Sequence, residues 1–141
     1  MNSRIIIPLI LLAVIITSVI GCGEDPVVVA QEVARDWTNT SVSEISEDIG
    51  AFSTGNIPLL KDVAASIVEG AIRDDLTWSY GKPQRLSDDI YLVVATASSD
   101  FDIFLIGSYT VSMDYRLEID TKYKKVLDAP FDIDSFSISK N

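Results

Sequence analysis

The spacing of hydrophobic and polar positions divides this 141-residue chain into three stretches. Residues Ile5 to Ile20 form an apolar run broken only by Pro8, Thr17 and Ser18. A membrane-crossing helix needs about 20 apolar residues to span roughly 30 Å of hydrocarbon. The shorter, interrupted run therefore predicts a leader that is removed instead of a transmembrane segment. From Asp25 to about Leu76 apolar residues recur with the period of a helix, and from Leu76 to the end they alternate with the period of a strand.

Three helices are predicted in the middle stretch. Asp25 is placed to cap the first and Pro26 to occupy its first position, with Val27, Ala30, Val33, Ala34 and Trp37 on one face. Ser41 and Glu44 have capping-box spacing ahead of a second, whose stripe is Ile45, Ile49 and Phe52; Gly50 and Gly55 are expected to weaken or end it. The third is expected from about Ile57 to Leu76, with a broad face of Leu60, Val63, Ala64, Ile67, Val68, Ala71 and Ile72.

Four strands follow. Leu76, Trp78 and Tyr80 alternate with Thr77 and Ser79 before Gly81-Lys82-Pro83, and Ile90 to Ala97 is a second, mostly apolar strand. Tyr109, Val111, Met113, Tyr115, Leu117 and Ile119 alternate with polar residues, as in a long antiparallel strand with one face buried. Asp120 to Lys124 predicts a hairpin turn. The last strand starts near Lys125; its apolar phase shifts between Phe131, Ile133 and Phe136, Ile138, which predicts a bulge near Asp134, and Pro130 favours an edge position. Helices first and an antiparallel meander after them define an α+β domain in which N-terminal helices pack on a curved, four-stranded, cone-like sheet. Ile67, in the third helix stripe, is expected to be fully buried against the face carrying Tyr109 to Leu117.

The start of the chain resembles a bacterial lipoprotein signal. Arg4 and the amino terminus precede the apolar run, and Val19-Ile20-Gly21-Cys22 resembles a lipobox: an aliphatic residue at minus three, Gly at the cut and the Cys that follows it. The resemblance implies cleavage between Gly21 and Cys22, acyl lipid on the Cys22 thiol, and a membrane-anchored extracytoplasmic protein. Its organisation becomes residues 1–21 signal, 22–24 lipidated Cys and spacer, 25–141 one domain. That mature domain has no second Cys and must hold together by packing alone.

The element order from residue 25 to 141 resembles the nuclear-transport-factor-two-like and cystatin-like superfamily, with Trp78-Ser79-Tyr80 and the strand around Tyr109 to Ile119 in the expected places. The chain is also similar to small bacterial lipoproteins of uncharacterised function that carry an Asp-Trp pair, here Asp36-Trp37, and a strand like Leu76 to Tyr80. Members of this superfamily include enzymes, ligand carriers and assembly subunits, so the fold does not choose a function.

Charge and chemistry narrow the choice. Lys and Arg number 11 against 21 Asp and Glu, a net charge of −10, and removing the leader takes away one Arg and no acid. That balance argues against nucleic acid or an anionic lipid surface as a ligand. The positive mean hydropathy owes much to the leader. There is no His, which removes the usual general base and the commonest metal ligand. The acidic pairs Asp74-Asp75, Asp88-Asp89, Asp100-Asp102 and Asp132-Asp134 fit no calcium loop and read as solvated turns and strand faces, so neither metal nor cofactor is expected. Trp37, Trp78, Tyr80, Tyr109 and Tyr115 are the candidate lining of a ligand pocket, though their spacing also suits core positions. Asp114, on the face opposite Tyr115 and Tyr109, does not share such a pocket. Two classes stay open: a non-catalytic module that binds an apolar small molecule or a protein partner, and a small pocket enzyme of the isomerase or hydratase kind.

Overall fold

The computed structural model describes residues 23–60 and 65–141. The lipobox residues Gly21 and Cys22, the leader, and the expected core positions Val63 and Ala64 lie outside the described residues. The first helix, α1 (Pro26–Thr40), begins where the sequence places it: the Asp25 carboxylate accepts from the Val27 N–H at 2.9 Å, and Pro26 occupies the first turn. The second helix, α2 (Val42–Asn56), follows with almost no break. The Ser41 N–H donates to Trp37 O at 2.9 Å and its side chain makes no capping bond, so the expected capping box does not form.

Gly50 does not end α2, which runs on through Gly55 and stops one residue later at Asn56. A Cβ on Gly50 would lie 3.4 Å from the Glu69 Cα, so this glycine sits where a neighbouring helix passes close by. The expected third helix is shorter and preceded by a separate turn. Pro58–Leu60 forms a 3-10 turn, and α3 is Ala65–Asp74. Val68 and Ile72, four residues apart on one stripe, are buried with Leu60. Ile67 is 67% exposed instead of buried, because it stands one residue, about 100° of helix rotation, from Val68.

Six strands, not four, make one antiparallel sheet: β1 (Thr77–Tyr80), β2 (Gln84–Arg85), β3 (Ile90–Ile103), β4 (Gly107–Asp120), β5 (Lys125–Asp128) and β6 (Phe131–Lys140). The count rises because two expected strands are each divided. β1 and β2 both pair with β3 on either side of Gly81-Lys82-Pro83, and β5 and β6 both pair with β4 on either side of Ala129-Pro130. The predicted bulge falls where β6 shifts register opposite Ser112 and Asp114, between Asp132 and Ser137. It keeps Phe131 and Ile138 on one face despite their unlike spacing, opposite Tyr115 and Val111.

The β3–β4 hairpin is the axis of the domain. It is paired without interruption from Ile90 opposite Asp120 to Ile103 opposite Gly107, so β3 runs six residues past the expected end at Ala97. Its inner face carries Val93, Ala95, Ala97 and Phe101 from β3, and Val111, Met113, Tyr115, Leu117 and Ile119 from β4. These residues form one core with Ala30, Ala34, Ile45, Ile49, Val68 and Ile72 of the helices. Small residues at 95, 97 and 99 let the helices approach closely, and Ser99 Oγ donates to Ile72 O at 3.4 Å. The outer face is hydroxyl and carboxylate: Thr96 Oγ1 donates to Asp114 at 2.6 Å and Thr110 Oγ1 to Asp100 at 2.5 Å.

Candidate functional site

The five aromatic residues singled out from the sequence are divided over the molecule. Three meet. Tyr115, in the middle of β4, has the ring of Trp37 from α1 at 5.8 Å, that of Trp78 from β1 at 6.2 Å, and that of Phe131 from β6 at 6.4 Å. Phe131 continues the cluster to Phe52 at 5.5 Å and Phe52 to Phe136 at 5.6 Å. Tyr80 stands to one side, its hydroxyl 2.6 Å from that of Thr38 and its ring 5.9 Å from the Arg35 guanidinium. Tyr109 lies towards the other end of β4, stacked on Phe101 at 5.9 Å with the Lys140 ammonium 6.0 Å from its ring.

Tyr115 is the most perturbed group of the cluster. Its hydroxyl donates to Asp48 Oδ2 at 3.4 Å. Burial first, then the charge and hydrogen bond of Asp48, push its ionisation well above the usual phenol range. It therefore stays a neutral donor. Tyr115 lines none of the clefts described next, and its bond to Asp48 ties α2 to the sheet.

One cleft of about 490 Å³ lies between α1 and β5, lined by Val33, Asp36, Trp37, Thr40 and the strand from Lys124 to Ala129. It brings Trp37 to a surface shared by Asp36, Asp128, Lys124 and Lys125, a mixed lining that selects no ligand class. A second cleft of about 410 Å³ is of another kind. It lies between α3 and the end of the β3–β4 hairpin, with walls of Leu60, Ile67, Val68, Ala71, Phe101, Ile103, Phe104 and Ile106, and, among the described residues, Asp102 as its one charged residue.

The hairpin closes beside this second cleft through Phe104-Leu105-Ile106, with the Ile106 N–H donating to Ile103 O at 2.9 Å. Leu105 holds a positive φ of 67°, where Gly or Asn is usual in a turn, and Gly107 follows at φ 126°. Phe104 is 87% exposed and Leu105 90%. Ile67, at 67%, lines the same cleft. The sequence carries a signal for it that the alternation pattern hides: Phe104, Leu105 and Ile106, the three residues of the turn, are all apolar, and turns are built from Asn, Asp, Gly and Pro unless something else selects their side chains.

The acidic pairs have local partners. Asp75 Oδ2 accepts from the Asp100 N–H at 3.2 Å, Asp102 from Ser108 Oγ, Asp132 from the Asp134 N–H at 3.2 Å, and Asp88 pairs with Arg85 at 2.9 Å. Among the described residues no group of three or more acidic, Cys or His side chains gathers as metal ligands would, and no helix is long and apolar enough to cross a membrane. Comparison of the chain with protein families, with curated proteins and with solved structures finds no match.

Proposed function

We propose that this protein is a lipid-anchored module on the extracytoplasmic side of a bacterial membrane that binds a partner without catalysis. The anchor reading rests on the apolar run, Arg4 and Val19-Ile20-Gly21-Cys22. Three helices on one face of an antiparallel sheet support grouping residues 25–141 with the cone-like nuclear-transport-factor-two-like and cystatin-like domains. The observation that carries the binding reading is the apolar end: a cleft of about 410 Å³ beside Phe104 and Leu105, two large side chains that contribute little to the fold. Apolar surface of this kind marks interaction sites.

The tether and that end are at opposite poles. Glu24 pairs with Lys124 at 2.6 Å, so the chain enters the domain beside the β4–β5 turn, while the apolar tip closes the other end of β4. The 14 residues of β4 span on the order of 45 Å at about 3.3 Å per residue. Lipid on Cys22, with only Gly23 and Glu24 before the cap at Asp25, holds the turn near the bilayer and presents the apolar end away from it. Membrane fractionation of Cys22→Ala tests the anchor: the variant should stay unprocessed or leave the membrane, because the thiol is the attachment point for the acyl chains that keep a lipoprotein bound. An Ala variant that is processed and retained like the wild type overturns it.

A further inference from the structure

We infer that the apolar end is the self-association surface of this chain, occupied by a second copy in a two-fold symmetric pair whose tethers point the same way. The inference rests on the binding reading above and names the partner.

Four observations carry it. The first is shape, because the protruding and the recessed parts belong to one surface. Phe104 stands 87% exposed at the lip of a cleft whose walls are Leu60, Ile67, Val68, Phe101 and Ile103. A two-fold axis beside that lip brings each Phe104 to the other copy's cleft, the self-complementary contact that a symmetric dimer requires. The second is area. Side chains of this size offer on the order of 150 to 200 Å² each, so Ile67, Phe104 and Leu105, all more than half exposed, together present on the order of 400 Å² of apolar surface. With the cleft walls, a pair buries roughly 1,000 to 1,200 Å² in total, within the range of weak, specific interfaces.

The third is charge. A chain of net charge −10 resists meeting itself over most of its surface, but among the described residues Asp102 is the one charged residue lining this cleft, and its carboxylate is taken up by Ser108. Two copies meet here with the fewest like charges opposed. The fourth is the tether. With the entry point at Lys124 and the apolar end at the opposite pole, an axis along β4 keeps both amino termini on one side. Confinement to one membrane then raises the effective concentration and makes a modest interface sufficient.

The chain's single Cys at position 22 makes cysteine cross-linking clean. Full-length Leu105→Cys, in membranes and treated with a short bismaleimide, should give a product of twice the chain mass. The wild type and Tyr123→Cys, whose site is exposed at the tether end, should not. In detergent, light scattering of the full chain should show a concentration-dependent shift from one chain mass to two. Phe104→Asp should weaken that association at least tenfold while its circular dichroism stays that of the wild type. A chain that stays monomeric, with no doubled product from Leu105→Cys, overturns the second copy. A cross-link from Leu105→Cys to a product of some other mass also overturns it but leaves the binding reading standing, whereas no product of any mass removes both.

Discussion

At one end of β4 the chain reverses through Thr121-Lys122-Tyr123-Lys124, with Asp120 Oδ1 accepting from the amides of Lys122 and Tyr123 at 3.0 Å each. At the other end it reverses through Phe104-Leu105-Ile106, with no polar side chain in the turn. The first turn accounts for its own residues: a carboxylate satisfies two amides, and the lysines keep the reversal in water. The second does not. Leu105 sits in a backbone region that β-turns usually give to Gly or Asn, and neither it nor Phe104 is covered by the domain. These side chains serve neither their turn nor the core, which is the contrast that separates the apolar end from an ordinary hairpin tip and the one that the proposed pairing of two copies would account for.

The largest effect that tests the contrast lies in α3, where inward and outward apolar residues are neighbours. Ile72 is fully buried against β3, so Ile72→Ala should cost about 2 to 5 kcal/mol in urea unfolding, while Ile67→Ala should stay within about 0.5 kcal/mol. Equal midpoint shifts would mean that Ile67 belongs to the core and the apolar end is smaller than it looks.

Ile67 also shows where reading the sequence stops. Strand phase on β4, the Asp25 cap, the turn at Asp120 and the bulge near Asp134 were legible because each is a local rule: alternation, side chain to amide, a phase slip within a few residues. Whether Ile67 or Val68 faces the sheet is set by how α3 rolls on β3, which depends on the small residues Ala95, Ala97 and Ser99 more than 20 positions away. The same small residues disguised the far half of β3, since Ser98-Ser99-Asp100 breaks an apolar count while Ser99 is buried under Ile72. The candidate pocket was less legible still. Trp37, Trp78 and Tyr115 do meet, but Tyr109 shares their strand phase and lies towards the other end of β4, while Tyr80, in the same cross-strand row as Tyr115 through Ala95, turns to Thr38, because alternation assigns a face and says nothing about position on it.

Gly107 tests the tip from its backbone side. At φ 126° it adopts a conformation that a side chain disfavours, and a Cβ there would stand 3.0 Å from the Lys140 Cε. The lysine end can move aside, so the backbone dominates. Gly107→Ala should cost more than about 1 kcal/mol. The loss should appear as faster hydrogen exchange at Ile106, with the amides of Lys122 and Tyr123 unchanged. A variant as stable as the wild type would mean that the turn relaxes without penalty, and the exposed placement of Leu105 would then not be enforced by the hairpin.

The smallest effect belongs to the start of α1. Asp25 stabilises α1 through one hydrogen bond to the Val27 N–H, so Asp25→Ala should lower stability by about 1 kcal/mol and Asp25→Asn by less, since an amide oxygen also accepts. Asp25 and Phe104 lie at opposite poles, and changes at distant sites add to within about 0.5 kcal/mol. Urea unfolding of Asp25→Ala, Phe104→Asp and the double variant, at a concentration where each is monomeric, measures this directly. Additive shifts mean that the capped end and the apolar end are independent parts of one domain, so that the proposed self-association at the tip would leave the cap undisturbed. A coupling above about 1 kcal/mol would instead tie the two poles together through the β3–β4 hairpin, and the tip could then no longer be treated as a surface separate from the start of α1.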